Sequence, residues 1–150
     1  MNIPANSPTL TRLSACSSAG WLDLGRQREQ ARRWIDSLGI RARSALQAVR
    51  TLSGGNQQKI SLGRLLHQDA EILLLDEPTR GIDIGAKTEI YALIRQLAAD
   101  GKAILLVSSE LPEILALSSR LLVMREGAIA AELDPRCTTQ EEVLRHAMPA

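Results

Sequence analysis

The chain has 150 residues, 45% of them apolar and 23% charged, with a formal net charge of +1. That composition fits one soluble globular domain, and no apolar run approaches the ~18 residues that a membrane span requires. The start Met1-Asn2-Ile3-Pro4 lacks the basic and apolar stretches of a signal peptide, and Cys16 and Cys137 have neither metal-ligand spacing nor a secretory context. Aromatic residues are confined to Trp21, Trp34 and Tyr91, so the core is expected to be aliphatic.

The small net charge hides an asymmetry. The first fifty residues carry eight Arg against three acids, whereas the remaining hundred carry ten basic and fourteen acidic side chains. An Arg-rich start can face nucleic acid or an anionic membrane. Here the Arg residues alternate with a clean apolar stripe, so a solvated helix face is the better reading and no nucleic-acid partner is expected.

Residues 1–23 are weakly patterned, with Pro4, Pro8 and a Ser/Ala/Gly cluster, and predict an irregular beginning. From Arg26 to about Gly39, the spacing of Ala31, Trp34, Ile35 and Leu38 predicts an amphipathic helix. Thr51-Leu52-Ser53-Gly54-Gly55 reads as a turn into a second helix ending near His67, with Ser53 as its N-cap. Glu71–Leu75 and Ala103–Val107 are short continuous apolar runs, the pattern of parallel strands buried on both faces. A helix from about Gly85 to Ala99 lies between them with Ile90, Ile94 and Leu97 on one face. A short helix near Glu110 and a hairpin turning at Arg125-Glu126-Gly127 follow. The capping-box pattern Thr139-x-x-Glu142 opens a terminal helix.

Three local features carry chemistry. Ser53-Gly54-Gly55 opens a helix, where unpaired backbone N–H groups and the helix dipole favour an anion. Alone, such a turn is more often simply a cap. Asp76-Glu77 ends a buried strand, where open α/β sheets bind ligands; Asp76 suits Mg²⁺ and Glu77 suits polarising a water. Alone, this too reads as a pair of solvated acids. Asp83, in the loop Thr79–Asp83, by itself says only that the chain turns. His67 and His146 have no partner pattern and read as surface or helix-end residues.

In combination these stretches resemble the ATP-binding cassette (ABC) family. Leu52–Lys59 (LSGGNQQK) is similar to its signature motif, Ile72–Thr79 (ILLLDEPT) to its Walker B strand with the catalytic glutamate, and Gly81-Ile82-Asp83 to its D-loop. DEPTRGIDIGAK (76–87) and LLVSSELPEIL (105–115) narrow the resemblance to the second cassette of double-cassette ATPases serving ribose-, xylose- and galactose-type importers. The resemblance implies an α/β fold, the C-terminal part of an ABC-type P-loop NTPase domain. After a weakly ordered segment 1–23 comes a partial ABC domain, 24–150. Residues 24–68 would form its helical and signature part, and 69–150 its partial, mainly parallel sheet flanked by helices.

The resemblance further implies ATP and Mg²⁺ as cofactors and a second cassette as partner, the two packed head to tail. Ser53, Gly54, Gly55 and Asn56 would meet the γ-phosphate of ATP held by the opposite cassette. Asp76 would support Mg²⁺, Glu77 would activate water, and Asp83 would link the sites across the interface. The residues around 10–50 would belong to the helical subdomain, which contacts membrane-spanning permease subunits, and a periplasmic sugar-binding protein would act indirectly. The chain would sit in the cytoplasm, peripheral on the inner face of the membrane.

Two positions depart from the commoner family pattern. Asn56 stands where most members have Gln, and Ser109 stands where most have a switch histidine. Ser109 can hydrogen-bond a phosphate but cannot supply imidazolium charge. No G-x-x-x-x-G-K-[ST] occurs in the 150 residues, so the chain by itself is expected to bind ATP poorly, to hydrolyse none alone, and to expose apolar strand surface. Other functions compatible with the motifs are a non-hydrolysing interaction protein lending its signature loop to a partner cassette, and a soluble ABC protein acting on ribosomes or DNA.

Overall fold

The computed structural model describes residues 17–18 and 21–148. Most of the weakly patterned start, 1–16 and 19–20, lies outside the described residues, as does Cys16. The chain forms two compact units. One runs to Leu73 and includes Thr79–Ala103, and the other joins Leu74–Pro78 to Ile104–Ala150.

In the first unit, Ser17–Ser18 (β1) pairs antiparallel with Trp21–Leu22 (β2). Helix α1 spans Leu24–Ser37, two residues ahead of its apolar pattern, because the Asp23 carboxylate caps it by accepting from the Arg26 N–H. Its end is a Schellman motif. Gly39 takes a left-handed φ of 57°, the Gly39 N–H bonds to the Asp36 carbonyl, and the Ile40 N–H reaches back to that of Ile35. Leu38, Ile40, Leu52 and Ile60 make the core of this unit, with Trp34 and Leu93 packed against it.

Helix α2 (Gly54–His67) and helix α3 (Ile84–Ala99) complete this unit. Ile90, Ile94 and Leu97 are the buried stripe of α3, as the sequence spacing predicts. The two helices approach closely at Gly55, where an added Cβ would lie 2.5 Å from the Cβ of Ala86. Glycine here is a packing requirement.

Strands β3 (Ile72–Asp76) and β4 (Ala103–Val107) pair with each other. Glu71 O accepts from Ala103 N at one end, and Val107 O accepts from Glu77 N at the other, so the strands run parallel. Burial on both faces, the usual state of such apolar runs, is not what they show; they expose apolar surface, as expected for this chain. Leu73 and Leu75 are buried, whereas Ile72, Leu74, Leu105 and Val107 are between 55% and 69% exposed. Strand side chains alternate between faces, and only one face of this two-stranded ribbon is covered.

The second unit continues with α4 (Leu111–Leu117), the antiparallel hairpin β5 (Leu121–Arg125) and β6 (Ala128–Leu133), and α5 (Gln140–Ala147). The hairpin turns at Glu126 and Gly127, both at positive φ, the backbone that a tight two-residue turn demands. Leu121 and Val123 pack with Val143 of α5 and partly buried Ile114 and Leu115 of α4. Thr139 caps α5 through the Glu142 N–H, as its capping-box pattern predicts. Among the described residues no helix is long and apolar enough to cross a membrane.

Candidate functional site

The signature-like turn sits at the start of α2, which begins at Gly54 with Ser53 in the N-cap position. Ser53 does not close the cap as its residue type predicts: its side chain makes no bond to the first-turn N–H groups. Its Oγ instead accepts from the Asn56 side-chain amide at 2.8 Å, while Asn56 Oδ1 accepts from the Arg41 backbone N–H, also at 2.8 Å. The first turn of a helix carries N–H groups with no intrahelical acceptor. Here they open beside an exposed serine hydroxyl, an arrangement suited to an anion. Gly54 lies close to Ile82, and Gly55 is filled on one side by Ala86. The two glycines therefore serve the α2–α3 approach as well as access to the turn.

A buried lysine backs this turn. Lys59, 6% exposed, donates to the Gly39 carbonyl at 2.9 Å and pairs with Glu89 of α3 at 2.8 Å. Arg41 joins the same carboxylate at 3.3 Å. The hydrogen bond from Lys59, then its charge, hold the Glu89 carboxyl below the usual carboxylate range. Sequence reading missed this cluster. Its signal was available: Gly55, Lys59 and Gly63 recur every four residues along the buried face of α2, and a lysine on such a face needs an acceptor.

Asp83, expected to act across an interface, occupies the N-cap of α3 and accepts from the Ala86 N–H at 2.9 Å. His67 is the last residue of α2, as a helix-end reading requires, but it is partly buried rather than a surface residue. The Trp34 indole N–H donates to its Nδ1 at 3.1 Å, and the two rings meet edge to face. His146 lies in the last turn of α5.

The acidic pair belongs to the second unit. Asp76 is exposed at the end of β3, and half-buried Glu77 follows it at a φ of 46°, in the left-handed region. That conformation costs a non-glycine residue about 1–2 kcal/mol. Two backbone bonds hold it: Glu77 N–H to Val107 O at 2.8 Å, and Ser109 N–H to Glu77 Oε1 at 2.9 Å. Ser109 therefore meets Glu77 through its main chain. A carboxylate fixed this way keeps its second oxygen for a water. Among the described residues no three His, Cys, Asp or Glu side chains converge on one metal. Magnesium usually takes one or two carboxylates, with water and phosphate completing its shell, so Asp76 is a fitting donor.

The sequence pattern of the ABC transporter family matches residues 3–80. A ribose import ATP-binding protein of Streptomyces avermitilis is 51% identical over 135 residues, 90% of this chain and 26% of its own length. One from Rhodopirellula baltica is 45% identical over 149 residues, 99% of this chain and 29% of its own. The chain thus spans little more than a quarter of these relatives. Among solved structures, an inward-facing ABC transporter described as metal-chelate type superimposes with a TM-score of 0.79 at 18% identity, covering 97% of this chain and 58% of that one. A dimeric ATP-binding cassette bound to ADP and Pi gives 0.70 at 23% identity, covering 91% of this chain and 60% of that one. The structural likeness bears out the α/β cassette fold, and with the family pattern matched over more than half of its residues, the chain belongs to the ABC transporter family.

Proposed function

We propose that this chain supplies the signature turn and the water-activating carboxylate of an ATPase that drives carbohydrate import. The observation that carries the reading is Glu77: a carboxylate held at a strand end in a costly left-handed backbone, its orientation set by the Ser109 N–H. Strain of this kind persists where the surrounding structure enforces it, and it concentrates at functional sites. The names of the relatives, which concern ribose and related sugars, support import as the process served.

In this reading the Glu77 oxygen not engaged by Ser109 accepts a proton from the attacking water. Asp76 holds Mg²⁺ through oxygen; the ion, when bound, neutralises phosphate charge. Ser53, the N–H groups of Gly54 and Gly55, and Asn56 behind them face the γ-phosphate of ATP carried by an opposing cassette, while Ser109 offers its hydroxyl to the phosphate beside Glu77. Asp83 borders that interface. Permease subunits dock on the helical subdomain, around residues 10–50, and a periplasmic sugar-binding protein delivers the cargo on the far side of the membrane. The protein works in the cytoplasm, peripheral to the membrane.

The test is Glu77→Gln in the intact protein within its native assembly. ATP turnover is expected to fall about 10²–10⁴-fold, the usual loss when a general base is removed, while ATP still drives association with the opposing cassette. Turnover at the unaltered rate would sink the proposal. If neither variant nor parent hydrolyses ATP but both associate when ATP is added, the chain is an interaction partner and not a hydrolase.

A further inference from the structure

We propose that Asn56 is a positioning residue that turns the Ser53 hydroxyl into an outward-facing hydrogen-bond donor, an inference that rests on the reading that Ser53 meets a nucleotide phosphate.

The observation behind it is a contrast among helix starts. Helices α1, α3 and α5 each begin with a side chain accepting from the backbone N–H three residues on: Asp23 from Arg26, Asp83 from Ala86, Thr139 from Glu142. Helix α2 has a serine in the same position and does not use it so. The third residue of α2, Asn56, brings its side-chain amide to the Ser53 oxygen instead.

The direction of that bond is fixed from behind. A backbone N–H can only donate, so the atom of Asn56 that faces Arg41 N is the oxygen, and the NH₂ group must face Ser53. Ser53 Oγ is thereby the acceptor toward Asn56, and its own proton has to point elsewhere. Ser53 is exposed, so that direction is outward. A phosphate oxygen accepts only, and a hydroxyl already committed as donor meets it without first reorienting, which is where preorganised sites gain over water. The relay Arg41 N–H, Asn56, Ser53 also aligns its dipoles in one sense, each bond strengthening the next.

The source of the relay is anchored as well. Two residues before Arg41, the Gly39 carbonyl is tied to α2 by Lys59, and the Arg41 guanidinium is tied to α3 by Glu89. The backbone that supplies the N–H is therefore held to the helix whose first turn it serves. Asparagine suits the geometry: its short amide spans from Ser53 Oγ to the Arg41 backbone with a bond of 2.8 Å on each side.

The experiment measures kcat for ATP in the intact protein within its native assembly for Ser53→Ala, Asn56→Ala, the double variant and Asn56→Asp. Ser53→Ala is expected to lower kcat by about 10²-fold, the loss typical of one transition-state donor. Asn56→Ala is expected to cost about tenfold alone and less than about twofold once Ser53 is alanine, because an orienting residue has nothing to orient there. Asn56→Asp keeps the acceptor for Arg41 but cannot donate, so the Ser53 proton is drawn inward and the loss is at least that of Asn56→Ala. A thermal melt of Asn56→Asp like the parent's confirms that the loss is not unfolding. Equal losses from Asn56→Ala with and without the Ser53 hydroxyl, or full turnover in Asn56→Asp, would overturn the relay while leaving the Ser53 contact intact. Unchanged turnover in Ser53→Ala would remove the phosphate contact itself, and the relay with it.

Discussion

The signature turn and the acidic strand end are held by opposite means. Around Ser53 the work is done by side chains: Asn56, Lys59, Glu89 and Arg41 form successive bonds that pin α2 to α3 and to the backbone at 39–41. Around Glu77 it is done by main chain: a left-handed residue, a strand carbonyl and the amide of Ser109. The first arrangement can be dismantled one residue at a time, with a cost in stability at its buried link, Lys59. The second offers only Glu77 itself, and there the conformation already opposes the side chain. Substitution should therefore lower stability at the packed links of the first region and raise it at Glu77.

The largest effect belongs to the first region. Gly55→Ala places a Cβ 2.5 Å from that of Ala86, which forces α2 and α3 apart. Overpacking of this kind costs about 1–3 kcal/mol, read as a lower denaturation midpoint with urea. Ala86→Gly in the same chain should recover most of the loss. If Gly55→Ala alone melts like the parent, the close approach of the helices is not what demands glycine.

Lys59→Met comes next. It keeps a similar volume on the buried face but leaves the Gly39 carbonyl without its donor and Glu89 without its nearest cation. The expected loss is about 1 kcal/mol, the net worth of an ordinary hydrogen bond, because the Gly39 and Glu89 groups left behind can turn to water. Stability unchanged or raised would mean that burying the ammonium costs as much as its bonds return.

Glu77→Gly should move the other way. Glycine accepts a φ of 46° without penalty, so the variant is expected to gain about 1 kcal/mol while losing ATP turnover. A destabilised Glu77→Gly would show that the bond from Ser109 outweighs the backbone cost, and the contrast between the regions would narrow. The caps sharpen it within the first unit alone. Asp83→Ala removes a working N-cap and should cost about 1 kcal/mol. Ser53→Ala removes a serine that caps nothing, and a loss below about 0.5 kcal/mol is expected by the same comparison of helix stability.

What could be read from the sequence follows the same division. The apolar spacing of Ile90, Ile94 and Leu97 and the Thr139-x-x-Glu142 pattern located α3 and α5, since both depend on neighbours three and four residues apart. Ser53-Gly54-Gly55 and Asp76-Glu77 were visible as contiguous motifs with chemistry attached. The bond between Glu77 and Ser109 was not, because it joins residues 32 apart through a backbone amide that any residue type would present. The Asn56–Arg41 bond was hidden for the same reason. Exposed apolar strand surface was expected, but not which face would carry it, because an apolar run reports what could be covered, and the outward Ile72 and Leu74 are indistinguishable from the inward Leu73 and Leu75. Ser53 stands at the N-cap as its type predicts, but its hydroxyl is taken by Asn56, because residue type fixes what a side chain can do at a helix start, not which of two donors reaches it first.

The smallest effect is one of pH, and it too separates the regions. In the first unit, the Lys59 bond and charge lower the pKa of Glu89 in the folded state. A carboxyl with a depressed folded pKa contributes its stability above the unfolded value of about 4.3, and loses it as pH falls through the folded value. The gap in urea midpoint between the parent and Glu89→Gln should thus be present at neutral pH and close in acid. Because Glu89 is 44% exposed, solvent screening keeps that gap to a few tenths of a kcal/mol, roughly. In the second unit Asp134 is drawn down to about 2 by hydrogen bonds from Arg136, a pair whose side chains are half-exposed and exposed. Asp134→Asn is therefore expected to open a small gap, reduced by solvent screening, that closes only as pH falls toward about 2. A gap for Glu89→Gln that persists unchanged in acid would mean that the Glu89 side chain holds α2 to α3 by packing, and that the Lys59 ammonium is held by its bond to the Gly39 carbonyl alone.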